Sequence, residues 1–183
     1  MSKRSADPRR LDVQAFAEAA ATMGGEWPLS ALVRLTEAAE GRSADDAATP
    51  ATWQVRGEMR RIGAGSPQTW LHLQAQCPIA LLCQRCLNPV RLDVQAKRSF
   101  LFVVDEQAAA ELDETSEDDV LALTRRLDLQ ELVEDELLLS LPLVPKHAAC
   151  PQPLTADGGD ANADAPAHPF AVLATLKPRR GSS

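Results

Sequence analysis

Residues 53–104 read WQVRGEMRRIGAGSPQTWLHLQAQCPIALLCQRCLNPVRLDVQAKRSFLFVV, and apolar side chains recur at nearly every second position. Trp53, Val55, Gly57 and Met59 alternate with Gln54, Arg56, Glu58 and Arg60. Leu71, Leu73, Ala75, Cys77, Ile79 and Leu81 alternate with Trp70, His72, Gln74 and Gln76. A third run sets Val90, Leu92, Val94 and Ala96, continuing in parity to Phe100, Phe102 and Val104, against Arg91, Asp93, Gln95 and Lys97. A period of two puts one side of each run in a core and the other in water. Turn residues separate the runs, at Gly63–Pro67 and at Asn88-Pro89. Three such runs in succession predict an antiparallel meander.

The flanks read as helices and loops around that sheet. Leu11–Thr22 predicts a short strand entering an Ala-rich helix, broken at Gly24-Gly25. Leu29, Leu32, Val33 and Thr36 have helical spacing that ends at Gly41, a residue suited to a C-terminal cap. Glu106–Asp119 is acidic and poor in apolar residues, so it reads as a mobile loop. Asp128, with Glu131 three residues on, starts a helix whose apolar stripe is Leu129, Leu132, Val133, Leu137 and Leu141, and Pro142 stops it. The expected architecture is α+β: an antiparallel sheet packed with a few helices, an acidic loop and a flexible C-terminal segment. Residues 1–150 form one expected domain with its core at about 53–145, followed by a disordered linker at 151–168 and a short docking tail at 169–183.

The 183 residues carry a net charge of −7, which argues against a generic nucleic-acid binder. The average hides a polarity. Residues 53–104 hold seven basic side chains against two acidic ones, while 105–136 hold thirteen acids against Arg125 and Arg126. No secretory pattern follows the basic N-terminus, and no apolar run approaches the ~18 residues of a membrane span. These features predict a soluble cytoplasmic protein. In that reducing setting the four cysteines, Cys77, Cys83, Cys86 and Cys150, point to metal or redox chemistry ahead of disulfides.

Three segments together resemble the YceD family of large-subunit ribosomal RNA accumulation proteins. They are Cys83-Gln-Arg-Cys-Leu-Asn-Pro-Val90, then Val133-Glu-Asp-Glu-Leu-Leu-Leu-Ser-Leu-Pro-Leu-Val-Pro-Lys-His147, and the tail His168-Pro-Phe-Ala-Val-Leu-Ala-Thr-Leu-Lys177. Their order and spacing are similar to the family's, over Trp53 to Lys177. The resemblance implies a bacterial ribosome-biogenesis role that supports 23S ribosomal RNA, with large-subunit RNA or ribosomal proteins as partners. It supplies no active-site residues.

Two constellations carry chemistry. Cys83-x-x-Cys86 and His147-x-x-Cys150 offer three thiolates and one imidazole, a set that closes a tetrahedral zinc site. The alternative is free thiols beside a loop histidine. A thioredoxin-like role for Cys83-x-x-Cys86 lacks the helix that lowers a thiol pKa, because Asn88-Pro89 and a strand follow. Cys77 continues the inward alternation and reads as a small buried hydrophobe. On the outward sheet face, Arg56, Arg60, Arg91 and Lys97 share a side with Trp70 and His72, so cations can meet phosphates while an aromatic stacks on an unpaired base. A solvated sheet face is the plainer alternative.

No phosphate-binding loop, dinucleotide fingerprint, nucleophile elbow or HExxH motif is present. Neighbouring acids such as Glu134-Asp135 diverge by ~100° on a helix and do not make a two-metal site. The sequence therefore predicts a non-catalytic factor that binds precursor RNA or an assembling ribosomal protein. Its rivals are a zinc- or thiol-dependent enzyme acting on RNA or disulfides, and a protein-only adaptor.

Overall fold

A computed structural model describes residues 7–39, 50–61, 66–116 and 118–151. The three alternating runs are the centre of a five-stranded sheet with strand order β1-β2-β3-β4-β5. β2 (Pro50–Arg60), β3 (Gln68–Leu82) and β4 (Pro89–Val103) form the antiparallel meander. Register follows the pleat. Val55 faces Leu73, Leu71 faces Phe100, Cys77 faces Val94 and Leu81 faces Val90, so one face of the sheet is predominantly apolar. Slipping any strand by one residue would turn that face outward, which fixes the pairing.

Helices α1 (Val13–Glu18), α2 (Val33–Ala38) and α4 (Leu129–Leu139) supply the rest of the main core, with Val13, Leu35, Leu129, Val133 and Leu137 fully buried. The start of α4 is set by Asp128, whose carboxylate accepts from the N–H groups of Gln130 and Glu131. An antiparallel bridge between Leu11 and Leu127 ties the N-terminal segment to the same point. Glu134 accepts from the Leu35 N–H at 3.1 Å and pairs with Arg34 at 3.1 Å, so α4 caps α2 across the fold. Arg98 has inward parity and reaches Glu136 on α4 at 3.1 Å. Burial raises the Glu136 carboxyl above its usual range, and Arg98 only partly offsets this.

Three expectations are corrected. The helix expected to run up to Gly24-Gly25 ends at Glu18, and both glycines lie in β1 (Thr22–Pro28), an edge strand antiparallel to β2. Gly25 sits opposite Trp53, and a Cβ there would come within 3.3 Å of the indole, which stacks on Trp27 at 4.5 Å. The glycine leaves a flat seat for the ring. The helix expected to end at Gly41 is a 3-10 turn (Leu29–Ala31) followed by the short α2.

The acidic segment is not a loop throughout. It contains α3 (Glu106–Asp113), N-capped by Asp105, and β5 (Asp119–Ala122), which pairs parallel to β4. Parallel neighbours need a crossover, and α3 provides it. A crossover helix must bury something: α3 and β5 cover the outer face at one end through Ala109, Val120, Trp70 and Leu101. Acidic composition masked this, because only one side of α3 is apolar.

The described elements all lie within the compact unit Met1–Cys150. The linker and tail expected at 151–168 and 169–183 fall, Pro151 apart, outside the described residues. Among the described residues no helix is long and apolar enough to cross a membrane.

Candidate functional site

The β3–β4 hairpin closes through Cys83-Gln-Arg-Cys-Leu-Asn88, where the Leu87 N–H donates to the Cys83 carbonyl at 2.9 Å and the Cys83 N–H to the Asn88 carbonyl at 3.0 Å. Leu87 adopts φ of 56°, a conformation that costs a side-chain-bearing residue roughly 1–2 kcal/mol. That tight turn carries Cys83 and Cys86 on one side. After α4, Pro142 turns the chain, and the Gln84 N–H donates to the Pro145 carbonyl at 2.9 Å, docking the following segment on the hairpin tip.

Docking brings the two ligand pairs together. The donor atoms of Cys83, Cys86, His147 and Cys150 all lie within 4.8 Å of one another. The Sγ atoms of Cys83 and Cys150 are 3.9 Å apart, and Cys86 Sγ is 3.4 Å from His147 Nδ1. Zinc bonds of ~2.3 Å to sulfur and ~2.0–2.1 Å to nitrogen imply tetrahedral edges of about 3.8 Å and 3.6 Å respectively. These two spacings fit, and the widest, 4.8 Å, would close by about 1 Å around an ion. All four cysteines are free thiols.

The histidine is oriented as a metal ligand needs. Its Nε2 lies 3.1 Å from the Pro89 carbonyl oxygen, which can only accept, so the proton sits on Nε2 and the Nδ1 lone pair faces the thiols. Burial pushes the Cys83 thiol up, but hydrogen bonds from the backbone of His147, Arg85 and Cys86 outweigh it and bring the thiol to about 5. Burial and the neighbouring thiols raise Cys86. Cys77 is fully buried away from the cluster, and burial together with Asp93 raises it to about 11, which matches its reading as an inert core residue.

Sequence spacing did not single out Arg85. Its Nε donates to Cys150 Sγ at 3.0 Å and its Nη2 to the His147 carbonyl at 2.9 Å. Its place between two cysteines was the available signal.

The outer sheet face gathers some of the expected RNA-contacting residues and scatters others. Cross-strand rows run Gly24–Gln54–Gln74–Lys97, Thr22–Arg56–His72–Ser99 and Glu26–Thr52–Gln76–Gln95. Two adjoining hollows of about 420 and 350 Å³ share Gln54, Gln74 and Lys97. Lys97 is exposed, and Arg56 binds Glu58 at 2.9 Å. Arg91 has the same parity but lies six residues from Lys97, about 20 Å along the strand.

Trp70 departs from expectation. Its parity is outward, yet it is only 3% exposed beneath the α3 layer, and Arg60 lies 4.6 Å from its ring centre. It has no face to offer a base. His72 is also engaged: Nε2 donates to Glu58 at 3.0 Å, which leaves Nδ1 to accept the Ser99 hydroxyl at 2.8 Å. The hydrogen bond from His72, against a smaller burial effect and with help from Arg60 and Arg56, holds the Glu58 carboxyl below the usual range. The residues that alternation could have supplied, and that the emphasis on charge passed over, are Gln54, Gln74, Gln76 and Gln95.

No solved structure matches the chain. A curated relative, the large ribosomal RNA subunit accumulation protein YceD of Haemophilus influenzae, is 34% identical over 110 residues, covering 57% of this chain and 63% of that protein. The chain thus spans less than two thirds of that relative's length. The family model described as "Large ribosomal RNA subunit accumulation protein YceD" matches residues 71–177, a stretch that contains the cysteine hairpin, β4, α3, β5, α4 and the His147-x-x-Cys150 segment. With more than half of its length matched, and with both halves of the thiol–imidazole cluster inside the match, this chain belongs to the YceD family.

Proposed function

We propose that this protein supports the accumulation of large-subunit ribosomal RNA by binding precursor RNA, without catalysing a reaction. In this reading the RNA lies on the open face of β2–β4, and zinc at Cys83, Cys86, His147 and Cys150 locks the hairpin tip to the segment after α4. The observation that carries it is the trough, open among the described residues, in which Thr52, Gln54, Gln74, Gln76 and Gln95 stand beside Lys97. Glutamine amides both donate and accept, which suits the edges of unpaired bases, while Lys97 and Arg56 meet phosphates. With Trp70 buried, base reading here relies on hydrogen bonds and not on stacking. Four protein donors complete a tetrahedral zinc shell and leave no position for substrate, so the metal's role is structural.

The test is equilibrium binding of the full chain to fragments of large-subunit precursor RNA, measured across a salt series. The double variant Arg56→Ala, Lys97→Glu is expected to bind at least ~10-fold more weakly, with the salt slope reduced by about two, one for each lost cation. Unchanged affinity and slope would remove the sheet face from the account.

A second reading has its own observation. Leu87, Leu139, Leu143 and Val144 are large apolar side chains between 58% and 101% exposed. Such residues suit an assembling ribosomal protein as partner.

A further inference from the structure

We infer that Arg85 is the positioning residue of the thiol–imidazole cluster, neutralising the charge of the metal-loaded site and restraining the Cys150 thiolate; this rests on the metal reading above. Three thiolates, one neutral imidazole and a divalent zinc sum to a net charge of −1. An excess negative charge leaves metal-bound sulfur nucleophilic and open to alkylation, oxidation and metal exchange. Arg85 answers that charge directly, donating from Nε to Cys150 Sγ at 3.0 Å. Its other arm, Nη2 to the His147 carbonyl at 2.9 Å, grips the backbone of the second ligand pair. One side chain from the Cys83-x-x-Cys86 turn therefore holds both residues of the His147-x-x-Cys150 pair, one by its sulfur and one by its backbone.

Placement supports a role at the site instead of a packing role. The Arg85 side chain is exposed and belongs to no buried cluster, while Cys83 and Cys86 on either side of it are buried. Burying a guanidinium costs free energy that this position avoids, and the planar fork can make two bonds where lysine makes one point contact. Outer-shell partners of this kind typically change metal affinity 10–100-fold when removed.

The experiment uses full-length protein loaded with zinc, as wild type, Arg85→Ala and Arg85→Lys. Zinc transfer to a chromophoric chelator is timed, and iodoacetamide modification is located by mass spectrometry. Arg85→Ala is expected to keep one zinc and a wild-type circular dichroism spectrum, to release zinc roughly 10–100-fold faster, and to be alkylated first at Cys150. Arg85→Lys should recover part of the protection through its charge and lose the remainder with the second bond. Because Cys150 is the most exposed of the three thiols, the discriminating readout is its alkylation rate relative to wild type and the partial recovery in Arg85→Lys, which a merely structural arginine would not produce. Release and alkylation of Arg85→Ala within twofold of wild type would overturn the inference while leaving the metal site standing. Absence of zinc from the wild-type protein would overturn the metal reading and this inference together.

Discussion

On the zinc site proposed above, stripping the metal from the full-length protein is expected to lower its melting temperature by roughly 8–16 °C, corresponding to ~4 kcal/mol if the metal is present at about 1,000 times its dissociation constant. The size of the effect follows from what the cluster joins. Cys83 and Cys86 lie at the tip of the two longest strands, and His147 and Cys150 lie more than 60 residues later, past the crossover and α4. Without metal, the described contacts holding residues 142–150 to the hairpin tip include the Gln84–Pro145 backbone bond, the His147–Pro89 bond and the two bonds of Arg85. These are too few to order a proline-rich segment against its chain entropy. The main core, with Leu71, Leu73, Val55 and Val133 fully buried, remains. The metal-free protein should therefore still fold, and melt in one transition at the lower temperature. Cys86→Ala should reproduce it, and chelator should then lower the melting temperature of the variant no further. A chelator effect of equal size in both proteins would place the metal elsewhere.

Gly57→Ala is expected to be the most damaging single-methyl change in the sheet, costing about 2–4 kcal/mol. Gly57 lies on the inner face of β2, where α1 crosses closest. A Cβ built there would stand 2.8 Å from Ala17 Cα, 2.8 Å from the Phe16 ring and 2.9 Å from the Ala17 nitrogen. Two of those neighbours are backbone, so no rotamer change relieves the contact. The Gly57 N–H also donates to the Ala21 carbonyl at 2.9 Å, which fixes the approach. Gly25→Ala is the control: the three atoms nearest its Cβ would all belong to the Trp53 ring, the closest at 3.3 Å, and a small tilt of the indole accommodates it. Chemical denaturation of both variants should place Gly57→Ala well below Gly25→Ala, with the latter inside about 1.5 kcal/mol of wild type. Equal costs would show that α1 yields.

How far these features could be read from sequence depended on whether the signal was local. Alternation in β2, β3 and β4 is a local signal, and the register of the paired residues in these strands matches it. β1 was illegible because Gly24 and Gly25 erase the alternation; their reason lies on the next strand, in Trp53. α3 was illegible because its apolar side is little more than Ala109 and Leu112, and its partner Trp70 comes from a strand 39 residues earlier. The same partnership explains why parity placed Trp70 outward correctly and mistook outward for exposed. Cys83, Cys86, His147 and Cys150 were legible as two pairs, while their convergence, the orientation of His147 and the reach of Arg85 depend on the turn after Pro142. Charge drew attention to Arg60 and Arg91, yet Arg60 is spent on Trp70 and Glu58. The trough is lined by neutral amides that charge counting does not register.

Ultraviolet crosslinking in living cells, followed by sequencing of the attached RNA and mass spectrometry of the attached peptide, tests the binding account most directly. The account predicts enrichment of large-subunit precursor RNA over small-subunit RNA, joined to the β3 and β4 peptides that contain Gln74 and Lys97. Recovery of large-subunit RNA no greater than in uncrosslinked controls, in cells whose large-subunit RNA still falls when the protein is depleted, would contradict it.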